Sequence, residues 1–179
     1  MWYPPKTVTT PTEPVTAADV KRQCNILHND DDALIDGYIA AARDYIENYC
    51  GTPLTTRTVD VHCDSFADMA RLPVAPAQSV TAISYTDTAG DEQTLPTMVY
   101  EGRFDGLEAA VVTKYGQQWP AIRLGSRIKL TAVVGYTDLP VSIKHAMLLW
   151  IAEAYEGREN AQAPGWTAFD MLLCNHRRG

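Results

Sequence analysis

Apolar positions along this chain change their period twice. They fall at Leu34, Ile35, Tyr38, Ile39, Ala42, Tyr45, Ile46 and Tyr49, a spacing that marks one face of an α-helix. The pattern predicts a helix over residues 31–50. The run Asp30-Asp31-Asp32 opens it, supplying carboxylates that favour the helix dipole and offer cap oxygens. Gly51 and Pro53 close it. A shorter helix precedes it, over residues 16–27. Thr16 is its N-cap, Asp19 completes a capping box, and Val15 with Val20 forms a hydrophobic staple. The two helices make a hairpin. From Thr55 the period drops to two: Val59, Val61 and Cys63 alternate with Thr58, Asp60 and His62, a half-buried strand. Further short strands are predicted around Val80–Tyr85, Gln93–Leu95, Met98–Tyr100, Ala110–Thr113 and Arg127–Val134. Thr86–Asp91 is the turn of a hairpin, and Gly102, Asp105 and Gly106 form a second turn. After Leu139-Pro140 the helical period returns. Ile143, Met147, Trp150, Ile151, Ala154 and Tyr155 line the inner stripe of a helix over 140–156, with Asp138 as cap.

This order predicts an α+β fold: an N-terminal helical hairpin, an inserted region of short antiparallel strands (55–135), a closing helix and an extended C-terminal tail. Residues 1–15 hold four prolines and read as an extended arm. Residues 16–160 read as one domain, and 161–179 as a tail. That tail still carries Trp166, Phe169, Met171, Leu172 and Leu173. An ordinary terminal tail is polar, so this one is predicted to be a hook buried by another surface.

At 179 residues, 46% hydrophobic and 21% charged, the composition is that of a globular protein with a real core. A net charge of −7 argues against a nucleic-acid-binding basic face. Cys24, Cys50, Cys63 and Cys174 form no CxxC pair and read as free thiols of a reducing compartment; a disulfide between two of them stays open. Met1-Trp2-Tyr3-Pro4-Pro5 is not a signal peptide. No apolar run approaches the ~20 residues of a membrane span.

Catalytic chemistry does not assemble. The aspartate run lacks the Gly and distal Glu of a calcium loop, so helix capping accounts for it better. His62 and Asp64 lie opposite Cys63 on a strand, which separates a Cys–His pair. Cys174 and His176 could reach His28 or His145 to hold zinc only through tertiary contacts the sequence does not predict. There is no phosphate-binding loop. No catalytic residue, cofactor or metal is expected, and His145 reads as packed or interfacial. The aromatics at ends and loops are candidate anchors between subunits: Trp2, Tyr3, Trp119 with Pro120, Trp166 and Phe169. Local packing on the same domain is the alternative for each.

Several phrases in combination resemble the gp6-like head–tail connector (adaptor) proteins of long-tailed bacteriophages. The first runs from Pro14-Val15-Thr16-Ala17-Ala18-Asp19-Val20-Lys21, through Asp30–Ile35, to Ile39–Gly51. The second is Leu72–Val80 with Ile83-Ser84-Tyr85. The third is Val133-Val134-Gly135-Tyr136 with Leu139-Pro140 and the helix to Glu159. Met171-Leu172-Leu173 followed by Arg177-Arg178 is similar to the family's usual ending, while Cys174-Asn175-His176 departs from it. The resemblance implies a virion structural protein of the neck, assembled in the host bacterial cytoplasm. It implies a homo-oligomeric ring, commonly of about twelve copies, under the portal protein. The ring would continue the channel for double-stranded DNA without binding it specifically, and would meet a stopper or tail-completion protein below. Carried over by position, residues 161–179 would dock on the portal through Trp166, Phe169, Met171, Leu172, Leu173, Arg177 and Arg178. Acidic side chains facing the channel would let DNA slide, with Asp36, Asp44 and Glu47 as candidates. Two alternatives are another neck protein, such as a tail-completion or terminator protein, and a small α+β enzyme.

Overall fold

The β-period of the sequence appears in the computed structural model as seven strands: β1 (Lys6–Thr7), β2 (Arg57–Cys63), β3 (Ala77–Thr86), β4 (Glu92–Thr94), β5 (Tyr100–Asp105), β6 (Glu108–Thr113) and β7 (Ile128–Val134). Residues 1–157 and 167–178 are described. They fall into two compact units, Met1–Pro11 with Thr56–Tyr136 and Thr12–Thr55 with Thr137–Gly179. The fold is α+β, as predicted. Where one domain is expected, the strand-bearing insertion forms a unit of its own.

In the strand unit, five strands pair in the order β1–β2–β7–β3–β4, all antiparallel. Alternation is strict in β2 and β7, so Val59, Val61, Cys63, Ile128, Leu130, Ala132 and Val134 all point inward. The N-terminal residues add β1 to the sheet edge, with Lys6 opposite Asp60. In β3 the register slips twice, between Ala77 and Ser79 and between Val80 and Ala82. Each slip shifts the phase of alternation, and Ile83 becomes the fully buried residue of that stretch. The predicted turn after β3 is built on Asp87, whose Oδ1 accepts the N–H groups of Ala89, Gly90 and Asp91 at 2.9–3.0 Å. Beneath the sheet, a 3-10 turn over Phe66–Ala70 is capped by Ser65 and inserts Phe66 and Met69 into the core.

Strands β5 and β6 form a separate ribbon. The predicted turn at Gly102–Gly106 contracts to Gly106-Leu107, with Gly106 at φ +63°. Strand β5 therefore runs through Gly102. A Cβ there would lie 2.2 Å from the Phe104 ring: the ring covers the glycine and supplies the packing that glycine lacks.

The helical unit holds α1 (Ala17–Cys24), α2 (Asp32–Cys50), α3 (Val141–Gly157) and α4 (Ala168–Leu173). The capping box of α1 forms as predicted, with Thr16 and Asp19 exchanging side-chain and backbone bonds at 3.2 Å. The helix ends three residues early, because Asn25 turns left-handed (φ 55°) and its N–H closes on Lys21; Leu27 is left 93% exposed. On α2 the buried stripe is Ile35, Ile39, Ala42, Ile46 and Cys50. Leu34 and Tyr45, predicted on that face, stand 39% and 47% exposed. The aspartate run does not cap α2 through its side chains as expected. Asp31 accepts the phenol of Tyr155 at 2.6 Å, and Asp32 pairs with Lys21. These carboxylates tie α2 to α3 and α1. Helix α3 opens on the carbonyl of Pro140, which accepts from Ile143 and Lys144.

Leu130 is fully buried in the sheet. Leu130→Ala should cost about 2–5 kcal/mol in chemical denaturation; a loss below about 1 kcal/mol would contradict its place in the core.

Candidate assembly surfaces

The C-terminal residues fold where the sequence predicts an extended tail. Thr167 caps α4 through a complete capping box with Asp170, a local signal (Thr-x-x-Asp) that the tail reading passed over. The helix lies against α2 and α3. Leu173 is fully buried. Phe169 stands 5.7 and 5.8 Å from Tyr45 and Tyr49, ring centre to ring centre, and Tyr45 also stacks on Trp150 at 5.9 Å. The phenol of Tyr49 donates to Asp170 at 2.9 Å. Ser142 and Nε2 of His176 share a hydrogen bond of 2.8 Å, and the N–H of Arg178 donates to the carbonyl of Cys50. The Arg177 guanidinium lies 5.3 Å over the Tyr49 ring. Of the predicted docking residues, Phe169, Leu172 and Arg178 are half-buried, while Met171 (65%) and Arg177 are exposed. Trp166 lies outside the described residues.

The other aromatic candidates lie against their own unit. The Trp2 indole donates to the carbonyls of Asp68 and Arg71. Tyr3 donates to Asp64, with Arg127 3.8 Å over its ring. Trp119 stacks face to face on Phe66, the rings 4.8 Å apart and 2° from parallel; Pro120 is half-buried beside it. Among the candidate acids, Asp36 and Asp44 are exposed. Glu47 is engaged: it accepts the N–H of Leu54 at 2.9 Å and lies 3.8 Å from Arg43.

Sequence reasoning missed the most exposed apolar groups. Two turns, Lys114–Gln117 and Arg123–Ser126, close on backbone bonds of 3.0 and 3.1 Å, with Gly116 and Gly125 at φ +76° and +79°. Each lifts a large apolar residue at its second position, and Tyr115 and Leu124 are completely exposed. A Tyr-Gly and a Leu-Gly pair in a polar loop was the available signal. Met98, 70% exposed, flanks the same loop, because Lys114 bonds to the carbonyls of Thr97 and Val99 on either side of it.

The chemistry-bearing groups are quiet. All four cysteines are free, and burial pushes the thiols of Cys50 and Cys63 up to about 11, which leaves them protonated and unreactive at neutral pH. His145 is exposed. A hollow of about 240 Å³ opens beside His62, Glu92, Arg127 and Lys129, but Lys129 is paired with Asp60 at 3.3 Å and Arg127 is stacked on Tyr3. Among the described residues, no three His, Cys, Asp or Glu side chains converge to hold a metal ion, and no helix is long and apolar enough to cross a membrane.

Residues 15–95 match the sequence profile of the phage gp6-like head–tail connector protein family. No curated protein matches the chain. Among solved structures, the chain is similar to a protein in the neck of an empty gene transfer agent particle computed with C6 symmetry. That match has 22% identity, covers 98% of this chain and 95% of the other, and reaches a TM-score of 0.82. A protein in the virion of the native gene transfer agent particle matches at 24% identity, 97% and 94% coverage and a TM-score of 0.81. One in the native neck computed with C12 symmetry matches at 23% identity, 98% and 95% coverage and a TM-score of 0.77. At these identities the likeness is one of fold.

The described part of the tail should respond to acid. The Asp170 carboxyl is held below the usual carboxylate range, first by the Thr167 N–H, then by the Thr167 hydroxyl and the Tyr49 phenol. Its contribution is therefore complete above the unfolded pKa of about 4 and is lost as pH falls through the lower folded value. Amide-exchange protection of α4, corrected for intrinsic rate, should hold steady from neutral pH to about 5 and decline below about 4. Protection that persists unchanged into stronger acid would show that this cap does not hold the helix.

Proposed function

We propose that this chain, whose residues 15–95 match the gp6-like head–tail connector family, is a member of that family and serves in the virion neck as an adaptor ring beneath the portal protein. The observation that carries the reading is the conjunction of that match with a fold likeness spanning 98% of the chain. The sequence match ends at Leu95, within the strand unit; the fold likeness extends through α3 and α4.

In this reading the copies surround the channel through which double-stranded DNA passes, and a stopper or tail-completion protein binds below. A charge of −7 per copy supports passage without retention, because every cation–phosphate contact would slow sliding. The cyclic symmetry of the two neck reconstructions supports a ring closed by contacts between two different faces of each copy. The C-terminal segment is the proposed portal contact. Its described part offers Met171 and Arg177 outward, while Leu173 is fully buried. Deleting 161–179 would therefore remove core as well as hook, and a point substitution separates the two roles.

Portal-bearing heads mixed with the purified protein should gain a ring of density below the portal vertex, visible by electron microscopy. Heads that stay bare at saturating protein would overturn the adaptor reading. Met171→Asp should weaken attachment about tenfold while leaving the melting temperature unchanged, as expected of an exposed interface anchor. Leu173→Ala should lower the melting temperature. A Met171→Asp protein that attaches like the wild type would remove this end of the chain from the portal contact.

A further inference from the structure

Two surfaces of this chain are opposite in charge and both expose apolar groups. Residues Lys114–Lys129, which link β6 to β7 and enter β7, carry Lys114, Arg123, Arg127 and Lys129 and no carboxylate. Asp30–Glu47, leading into and along α2, carries six carboxylates against Arg43 alone. Internal pairing uses part of each set. Lys129 binds Asp60, and Arg127 covers Tyr3. Asp31, Asp32 and Glu47 bind Tyr155, Lys21 and Leu54. The Lys114 ammonium donates to the carbonyl of Thr97, so what faces outward on the loop is Arg123, unpaired among the described residues, and Asp36 and Asp44 lie exposed on the helix.

The apolar groups follow the same division. On the loop, Tyr115 and Leu124 are completely exposed, each next to one of those cations. On α2, Leu34, Ala41 and Tyr45 are exposed along one line of the helix, about 16 Å long at 1.5 Å per residue. Gly37 lies on that line, and a Cβ added there would meet nothing within 4 Å. The line is thus a shallow, open strip with Asp44 beside it, whereas Asp36, about 200° around the helix from Leu34, faces away from it.

We propose that the β6–β7 loop of one copy docks on the outer strip of α2 of the next copy, with Tyr115 and Leu124 on the apolar line and Arg123 against Asp44. The inference rests on the ring reading and names the surfaces that would make the ring. A loop-to-helix contact uses a different face on each partner, which is what rotational closure requires. Charge complementarity fixes the register and speeds encounter, and the apolar tips supply the buried anchor. Duplex DNA is the competing partner for the loop cations. It is less well matched, because a phosphate backbone offers nothing to Tyr115 and Leu124. The proposal also reassigns Asp44 from the channel to the neighbouring copy.

Sedimentation of the full chain at low salt and up to ~1 mM, where association of about −4 kcal/mol becomes visible, tests it with two exposed-site variants. Arg123→Glu and Asp44→Arg should each weaken self-association about tenfold with unchanged thermal melts. An equimolar mixture of the two should restore it, because each variant keeps one native face and the two altered faces again attract. Wild-type association that neither variant weakens would overturn the proposed surfaces and leave the ring standing. A wild-type chain that is monomeric throughout, and that forms no ring on portal-bearing heads, would remove the ring reading itself. Loss of duplex-DNA binding by Arg123→Glu with self-association intact would overturn the proposal in favour of nucleic acid.

Discussion

The contact between α2 and α3 is the constraint on which the helical unit depends. Its two halves, Thr12–Thr55 and Thr137 onward, are separated in sequence by the whole strand-bearing insertion. Ile35, Ile39, Ala42 and Ile46 on one side and Ile143, Ala146, Met147 and Ile151 on the other are all essentially buried. Burying them offsets the loop-closure cost of bringing distant segments together, a cost that grows only slowly with loop length. Polar ties then set the register: Asp31 to Tyr155 at 2.6 Å, Asp19 to Lys144 at 3.2 Å and Tyr49 to Asp170 at 2.9 Å. Each joins a residue before the insertion to one after it.

That arrangement shapes how function can be divided. The helical unit gathers the chain's C-terminal residues onto α2 and α3, so one hydrophobic cluster both stabilises the unit and presents Met171 and Tyr45 outward. The strand unit packs Trp2, Phe66, Tyr85, Phe104 and Trp119 into or against its own core and leaves Tyr115 and Leu124 exposed at loop tips. A protein stacked among copies and partners, as proposed for this one, needs such groups outside its own core, and a rigid sheet or helix pair behind them limits the entropy lost on docking. The family match stopping at Leu95 while the fold likeness continues is consistent with this. Packing tolerates hydrophobic substitution when pattern and volume are kept.

Several elements were legible because their causes are local. The Thr16–Asp19 capping box, the strict alternation of β2 and β7 and the Gly51 stop on α2 each depend on residues within one turn or one strand. The aspartate run was misjudged because a carboxylate at a helix start can cap its own helix or bind a neighbour, and only the position of Tyr155 and Lys21 decides between them. Trp2, Tyr3 and Trp119 were read as candidate anchors between subunits; the structure sets them against Asp68, Asp64 and Phe66, which lie tens of residues away. Tyr115 and Leu124 went unremarked because turn chemistry was read for its glycines and not for the side chain each glycine lifts.

By itself, then, the order of amino acids determined where α1, α2, α3, β2 and β7 lie, the inward faces of β2 and β7, the α+β class, and the phrases near its start that resemble the connector family. Those follow from steric and hydrogen-bonding preferences that act over a few residues. Only the tertiary structure decided that the arm adds a strand, that the last residues coil back onto α2 and α3, and which carboxylates are already spoken for. Those depend on groups far apart in the chain meeting in space, where burial and pairing outweigh any local preference.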